Sequence, residues 1–250
     1  MDEMDDEEPA GEAAAHVAVL APMRSELQPV VQQLGLRRTS SRTPVVYTGR
    51  RGDVAVTAIL AGVGTGPAAA ATEQALTAFG PVDHVVVVGI AGGIAEGQAI
   101  GELVVPELVV HGITGAEHRP DPLGPEQPAG ILSTSDELVV DPAAVAALVD
   151  RGVVALDMET AAIAAVCEQH GCRWSVFRAI SDRAADGLID PEVAALAAPD
   201  GSAALPAVLK LIARHPSRVR TLARLGRDMK VAARAAAVAA AAACATVVRS

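Results

Sequence analysis

Residues 153–186, VVALDMETAAIAAVCEQHGCRWSVFRAISDRAAD, constrain the fold more than any other stretch. An apolar run over 153–156 is followed by Ala161, Ala162, Ala165 and Val166 at helical spacing, with Ile163 alongside. Gly171 and Cys172 close that segment, and a second apolar run extends from Trp174 to Ile180. The pattern predicts strand, helix, strand. A helix of about 12 residues is ~18 Å long and a strand of about 6–7 residues spans ~20–23 Å. The lengths therefore suit a parallel βαβ crossover. Glu159 would leave the C-terminal end of the first strand and Asp182 that of the second, the edge where open α/β sheets bind ligands. Asp157 and Asp186 add negative charge nearby. Like charges and partial burial predict at least one raised carboxyl pKa, and so a proton donor near neutral pH. A plain structural account fits as well: Asp182 caps a turn and Glu159 opens a helix, where an acid suits the dipole.

The rest of the chain repeats this grammar. HVAVLA (16–21) reads as a buried strand ended by Pro22, and MRSELQPVVQQLG as a helix with Ser25 as cap, Pro29 near its first turn and Gly35 as stop. Strands are expected at 45–48 and 54–60 and an alanine-rich helix after AGVGTGP (61–67). A fully apolar strand at 84–88 breaks into GIAGG (89–93), and another strand covers 103–110. Residues 111–130 form a loop or lid, 131–133 a short strand and 142–150 a helix. Helices are expected again near 204–213 and 218–243. Alternating strands and helices with apolar strands indicate one three-layer α/β/α domain over residues 16–250, its central sheet mixed but mostly parallel.

Charge and cysteines narrow the function. The net charge of −10 is concentrated in residues 1–15, which hold seven acids and no Lys or Arg. This reads as a disordered acidic tail, with neither the basic start nor the apolar centre of a signal peptide. The near-neutral body gives no case for nucleic acid. Cys167, Cys172 and Cys244 form no CxxC pair and fit a reducing cytoplasm. The longest uncharged apolar run, 235–248, is too short and too alanine-rich for a membrane span.

Among the motifs, Gly62-Val63-Gly64-Thr65-Gly66 has GxGxG rather than GxGxxG spacing, and Asp83 precedes a strand instead of ending one, which disfavours a dinucleotide. His111, Glu117 and His118 lack helical metal-ligand spacing and read as a solvated loop, so no metal or cofactor is expected. GIAGG ends a buried strand either in a tight turn or in a close approach of backbone to a ligand. Glu26, GIAGG, Glu159 and Asp182 all fall just past strand ends, a polar rim suited to a neutral, hydroxyl-rich substrate.

Taken together, VAVLAPMRSEL, AGVGTGPAAAA, VVVVGIAGGIAEGQAIGELVVP, STSDELV, VVALDMETAAIAAVC and FRAISDRAAD resemble the nucleoside phosphorylase/nucleosidase superfamily, particularly the 5′-methylthioadenosine/S-adenosylhomocysteine nucleosidases. From Pro191 onward the chain is more similar to adenosylhopane nucleosidase-like members. The resemblance implies a cytoplasmic homodimer that hydrolyses the N-glycosidic bond of a 5′-modified purine nucleoside. Asp182 would protonate the leaving purine, and Glu26 would position and activate water. Glu159 would hold the ribose hydroxyls and Met158 pack on the sugar. Gly92, with Ala91 beside it, and the backbone of Val139 would contact the base, with Ser181 beside the acid. Phosphorylases of the superfamily place an arginine where Glu26 stands, so an acid there implies water as nucleophile. Two departures are visible: Ile90 replaces a serine near the attacking water, and Leu138 replaces a base-stacking phenylalanine. Three readings follow: the hydrolase, a phosphorylase using the same base acid, and a non-catalytic nucleoside-binding protein.

Overall fold

The computed structural model describes residues 14–40, 44–137, 139, 141–187, 215 and 218–249. The acidic segment 1–13, Leu138 and the helix expected near 204–213 lie outside these residues. In chain order the elements are β1 (His16–Ala21), α1 (Arg24–Leu34), β2 (Arg37–Ser40), β3 (Val46–Arg51), β4 (Val54–Leu60), α2 (Thr65–Ala78) and β5 (His84–Gly93). They continue with β6 (Leu103–Val104), β7 (Leu108–His111), β8 (Glu117–His118), β9 (Ile131–Thr134), α3 (Pro142–Asp150) and β10 (Val153–Asp157). The last are α4 (Thr160–Gln169), β11 (Arg173–Arg183), a short 3-10 turn (Ala184–Asp186) and α5 (Arg218–Cys244).

One sheet runs β2-β3-β4-β1-β5-β10-β9-β7-β8, with β11 paired to β5 and β6 to β11. Its centre, β4–β1–β5–β11, is parallel, as is β10–β9–β7. The β2–β3–β4 meander and the β7–β8 hairpin are antiparallel. Strand periodicity then builds the layers, because successive side chains face opposite sides. Val17, Val19 and Ala21 of β1 face one core with Leu27 and Val30 of α1 and the alanines of α5. Ala18 and Leu20 face the other with Ala68, Ala71 and Ala75 of α2 and Ile163, Ala164 and Cys167 of α4. That is the three-layer arrangement expected. The buried alanines of α5 lie against β11, β5 and α1 of the same chain.

Four expectations need correction. First, the strand expected at 103–110 is two, β6 on β11 and β7 on β9. Second, β10 and β11 are not neighbours in a parallel crossover: β5 stands between them, parallel to β11 but antiparallel to β10 through Ala155↔Gly93 and Leu156↔Gly92. The cause is that β5 does not stop at Val88. It continues through GIAGG, and its glycine end carries a second pairing that an apolar count cannot reveal. Third, α1 is not capped by Ser25. Met23 is its N-cap, and the Glu26 carboxylate accepts the Met23 amide at 2.8 Å. Gly35 ends the helix with φ 64, as expected of a left-handed glycine stop. Fourth, the 111–130 segment is not all solvated loop: His118, in β8, is nearly buried and meets Glu168 of α4 at 2.8 Å.

Candidate functional site

The site is built around a residue inside β11. Arg178 follows Phe177 and precedes Ala179, both core residues, and is itself 1% exposed. A buried guanidinium is tolerated only when paired and hydrogen-bonded. Its Nη2 donates to Asp157 Oδ2 at 2.5 Å, Glu159 Oε2 at 3.1 Å and Thr160 Oγ1 at 3.1 Å. Its Nη1 lies 3.8 Å from Glu26 Oε1. Burial opposes the charge on Arg178, but Asp157, Glu159 and Glu26 outweigh it and hold the group above its ordinary value. Asp157 is also fixed by the Thr134 hydroxyl at 2.5 Å and by the amide and hydroxyl of Thr160. This aspartate anchors the arginine instead of merely adding charge to a rim.

Glu26 reaches the same guanidinium from α1, on the other face of the sheet. The crossing is possible because position 89 is glycine. A Cβ there would collide with both Arg178 Nη1 and Glu26 Oε1. Glu26 is 1% exposed, and its Oε1 accepts the Ile90 amide at 2.7 Å while Oε2 accepts the Met23 amide. Burial pushes its pKa up to about 7, opposed by Arg178 and the two amides and assisted by repulsion from Glu159. Glu159 is raised in the same way, burial again leading and Arg178 opposing.

Asp182 stands at the bulged end of β11, opposite Gly92. A Cβ on Gly92 would lie 3.4 Å from Asp182 Oδ2 and 4.0 Å from the Leu156 carbonyl. The two carboxylates delivered by residues 153–186 are therefore carried on strands that flank β5, Glu159 just past β10 and Asp182 at the end of β11. The buried Ser181 hydroxyl donates to Asp182 Oδ1 at 2.6 Å, leaving Oδ2 as the oxygen to carry a proton. Burial raises the Asp182 pKa, opposed by Ser181 and assisted by Asp186. Asp186 itself pairs with Arg183 and Arg224 at 3.0 Å each, outside the Arg178 cluster.

The plain structural account is met in position for Glu159, which does open α4, but its side chain is used elsewhere. Glu159 is the N-cap residue of α4 but makes no side-chain cap bond; it accepts the Gly64 amide at 3.0 Å on Oε1 and Arg178 on Oε2. GVGTG therefore serves Glu159, with Gly64 at φ 94, a conformation that favours glycine. Met158, half-buried, directly precedes Glu159, and Ala91 is buried beside Gly92. Val139 is half-buried in the segment after β9. No group of three or more potential metal ligands occurs among the described residues, and no described helix is long and apolar enough to cross a membrane.

Fold and cluster together define an α/β protein with buried carboxylates gathered on one arginine near the glycine-rich end of β5. Residues 16–129 and 123–214 match the family model of the phosphorylase superfamily, and the chain belongs to that superfamily. The 5′-methylthioadenosine/S-adenosylhomocysteine nucleosidase of Chromohalobacter salexigens is 30% identical over 197 residues, 66% of this chain and 83% of that protein. The nucleosidase of the same name from Geobacillus thermodenitrificans is 31% identical over 171 residues, 56% of this chain and 71% of that protein. Among solved structures, the Neisseria meningitidis nucleosidase in complex with methylthio-immucillin-A superimposes with a TM-score of 0.70 at 20% identity, covering 93% of this chain and 99% of that one. Futalosine hydrolase of Helicobacter pylori gives 0.66 at 17% identity, covering 90% and 94%. These structural likenesses establish the shared fold.

Proposed function

We propose that this chain is an N-ribosyl hydrolase that cleaves a 5′-modified adenosine, of the 5′-methylthioadenosine/S-adenosylhomocysteine type, into free base and a ribose derivative. The observation carrying hydrolysis over phosphorolysis is the acid at Glu26, which already engages two nearby amides and faces the Arg178 guanidinium. The Met23 and Ile90 amides serve Glu26, and Arg178 serves three carboxylates. A phosphate at ~4 Å from an ionised Glu26 would be repelled by roughly 4 kcal/mol per charge pair at an effective dielectric of about 20. Arg24, the nearest arginine in sequence, is exposed on the first turn of α1.

In this reading the bond between C1′ and the purine breaks with its electron pair going to the base, through an oxocarbenium-like state. Asp182 Oδ2 gives its proton to the leaving base. Water bonds to C1′ and loses a proton to Glu26. Glu159 holds the ribose hydroxyls, Met158 packs on the sugar, and Ala91, Gly92 and Val139 line the base side. Ser181 orients Asp182. Base release should proceed in phosphate-free buffer and yield the free ribose derivative, measured by chromatography of the products. Release that requires phosphate and accumulates the sugar 1-phosphate would overturn hydrolysis and make Arg24 the anion ligand. No release from any purine nucleoside would leave a binding protein.

The pKa of Glu26 sets a pH dependence with opposite signs for stability and activity. Its value is raised from 4.5 to about 7 on folding. Stability from this group is therefore full below 4.5 and lost as pH rises through about 7. Activity needs the ionised base, so kcat/KM should climb with pH through about 7. Glu26→Gln should flatten both trends, read from melting temperature and initial rates across pH. An activity limb centred at 4.5 in the wild type would remove Glu26 from the reaction.

The same reading takes the protein to be a cytoplasmic homodimer active in nucleoside catabolism and methionine salvage. Free thiols at Cys167, Cys172 and Cys244 suit a reducing compartment. Val231 and Val238, seven residues apart on α5, are each about half exposed and offer an apolar stripe to a second copy. Sedimentation at micromolar concentration should give a dimer; monomer alone would remove this proposal.

A further inference from the structure

One polar contact joins the two sides of the site without taking part in the chemistry above. The Asp136 carboxylate, in the segment after β9, accepts the Thr65 amide at 2.7 Å and the Thr65 hydroxyl at 2.5 Å. Thr65 opens α2 directly after Gly64, whose amide is bonded to Glu159 Oε1. Two consecutive amides thus point at two carboxylates, one on each side of the loop. Gly64 is closely packed against the same group, since a Cβ on it would stand 3.2 Å from Asp136 Oδ1. Asp136 is in turn held by its neighbours: the Ser135 amide donates to the Asp157 carbonyl at 3.0 Å, and the Glu137 amide to Ser135 Oγ at 3.1 Å.

We infer that Asp136 and Thr65 form a clasp that positions Glu159 against the ribose hydroxyls, making both of them positioning residues for sugar recognition. The inference rests on the hydrolase reading and adds two residues to it. Glu159 is fixed at both oxygens, by Arg178 from within the sheet and by the Gly64 amide from the loop. The first hold is buried in the core. The second depends on where the 62–65 loop sits, and Asp136 ties that loop to the segment carrying Val139, the residue assigned to the base side. Ribose-side and base-side contacts are thereby set by one link. Asp136 is exposed, so the link adds little to the apolar core. A plain alternative exists, that Asp136 only caps α2 from a distance and supports stability.

The two accounts differ in their dependence on the sugar. Purified full-length wild type, Thr65→Val, Asp136→Ala and Thr65→Ser would be compared on 5′-methylthioadenosine and on its 2′,3′-dideoxy counterpart, with melting temperatures recorded. Loosening the clasp should cut kcat/KM on the ribose substrate about tenfold, mainly through KM, because a small displacement of a positioning group is costly. The dideoxy substrate, with no hydroxyls for Glu159 to hold, should change by less than about twofold, and Thr65→Ser should restore the wild-type ratio. Equal losses on both substrates, or no loss on either, would overturn the clasp while leaving the hydrolase reading intact. Wild-type protein that releases base from neither substrate would overturn the hydrolase reading and the clasp's role with it.

Discussion

Asp182→Asn should lower kcat at least ~100-fold while changing KM little, the lower end of what general acid catalysis contributes. Asparagine keeps the size of the side chain and can still accept the Ser181 hydroxyl, now donated to Asp182 Oδ1 at 2.6 Å. It has no acidic proton to give to the leaving base. The full range of ~10²–10⁴-fold corresponds to about 3–5 kcal/mol of barrier. Burial raises the pKa of Asp182, the direction a general acid needs. The partition of its oxygens adds direction: Oδ1 is taken by Ser181, whereas Oδ2 faces Gly92, where the absence of a side chain allows close approach. Steady-state base release by the purified variant is the measurement. Turnover near the wild-type rate would remove Asp182 from the mechanism.

Local patterning carried most of the fold. HVAVLA, VAVTAIL and PAAVAALVD are β1, β4 and α3 with the boundaries their patterns suggest, because each is a short apolar run bounded by turn or capping residues. The sheet's pairing was less legible. Gly92 and Gly93 have no side chains to reveal that the end of β5 would take β10 antiparallel, so a parallel crossover was the natural but incorrect expectation. The site divides along the same line. Glu26, Glu159 and Asp182 are visible as acids following strands. The guanidinium that binds two of them was hidden because Arg178 lies within a run read as an apolar strand. One signal could have exposed it: a cation between two core residues must bring carboxylates with it. The Gly64 amide on Glu159 spans 95 residues of sequence and leaves no local trace.

Arg178→Leu should be the most destabilising change in the site, and its cost should grow with pH. Removing one partner from a buried ionic cluster costs about 3–5 kcal/mol, because the charges left behind are neither solvated nor paired. Here the guanidinium is the cation shared by Glu26, Asp157 and Glu159, each of them at most 7% exposed. It opposes the burial that raises Glu26 and Glu159, so without it their folded-state pKa values rise further. A carboxyl group raised on folding contributes stability that is complete below its unfolded value and lost as pH climbs through its folded one. The variant should therefore lie nearer the wild type at acid pH, where the carboxyls carry protons, and fall away towards pH 8. Arg178→Lys keeps one charge but not the planar fork that reaches several carboxylates together, and should fall between the two. Urea denaturation of all three proteins at about pH 5 and 8 reads the difference directly as a shift in midpoint. A cost that is the same at both pH values would mean that Arg178 acts by packing alone. In that case the pairing of Arg178 with Glu26 invoked against phosphate would lose its electrostatic basis.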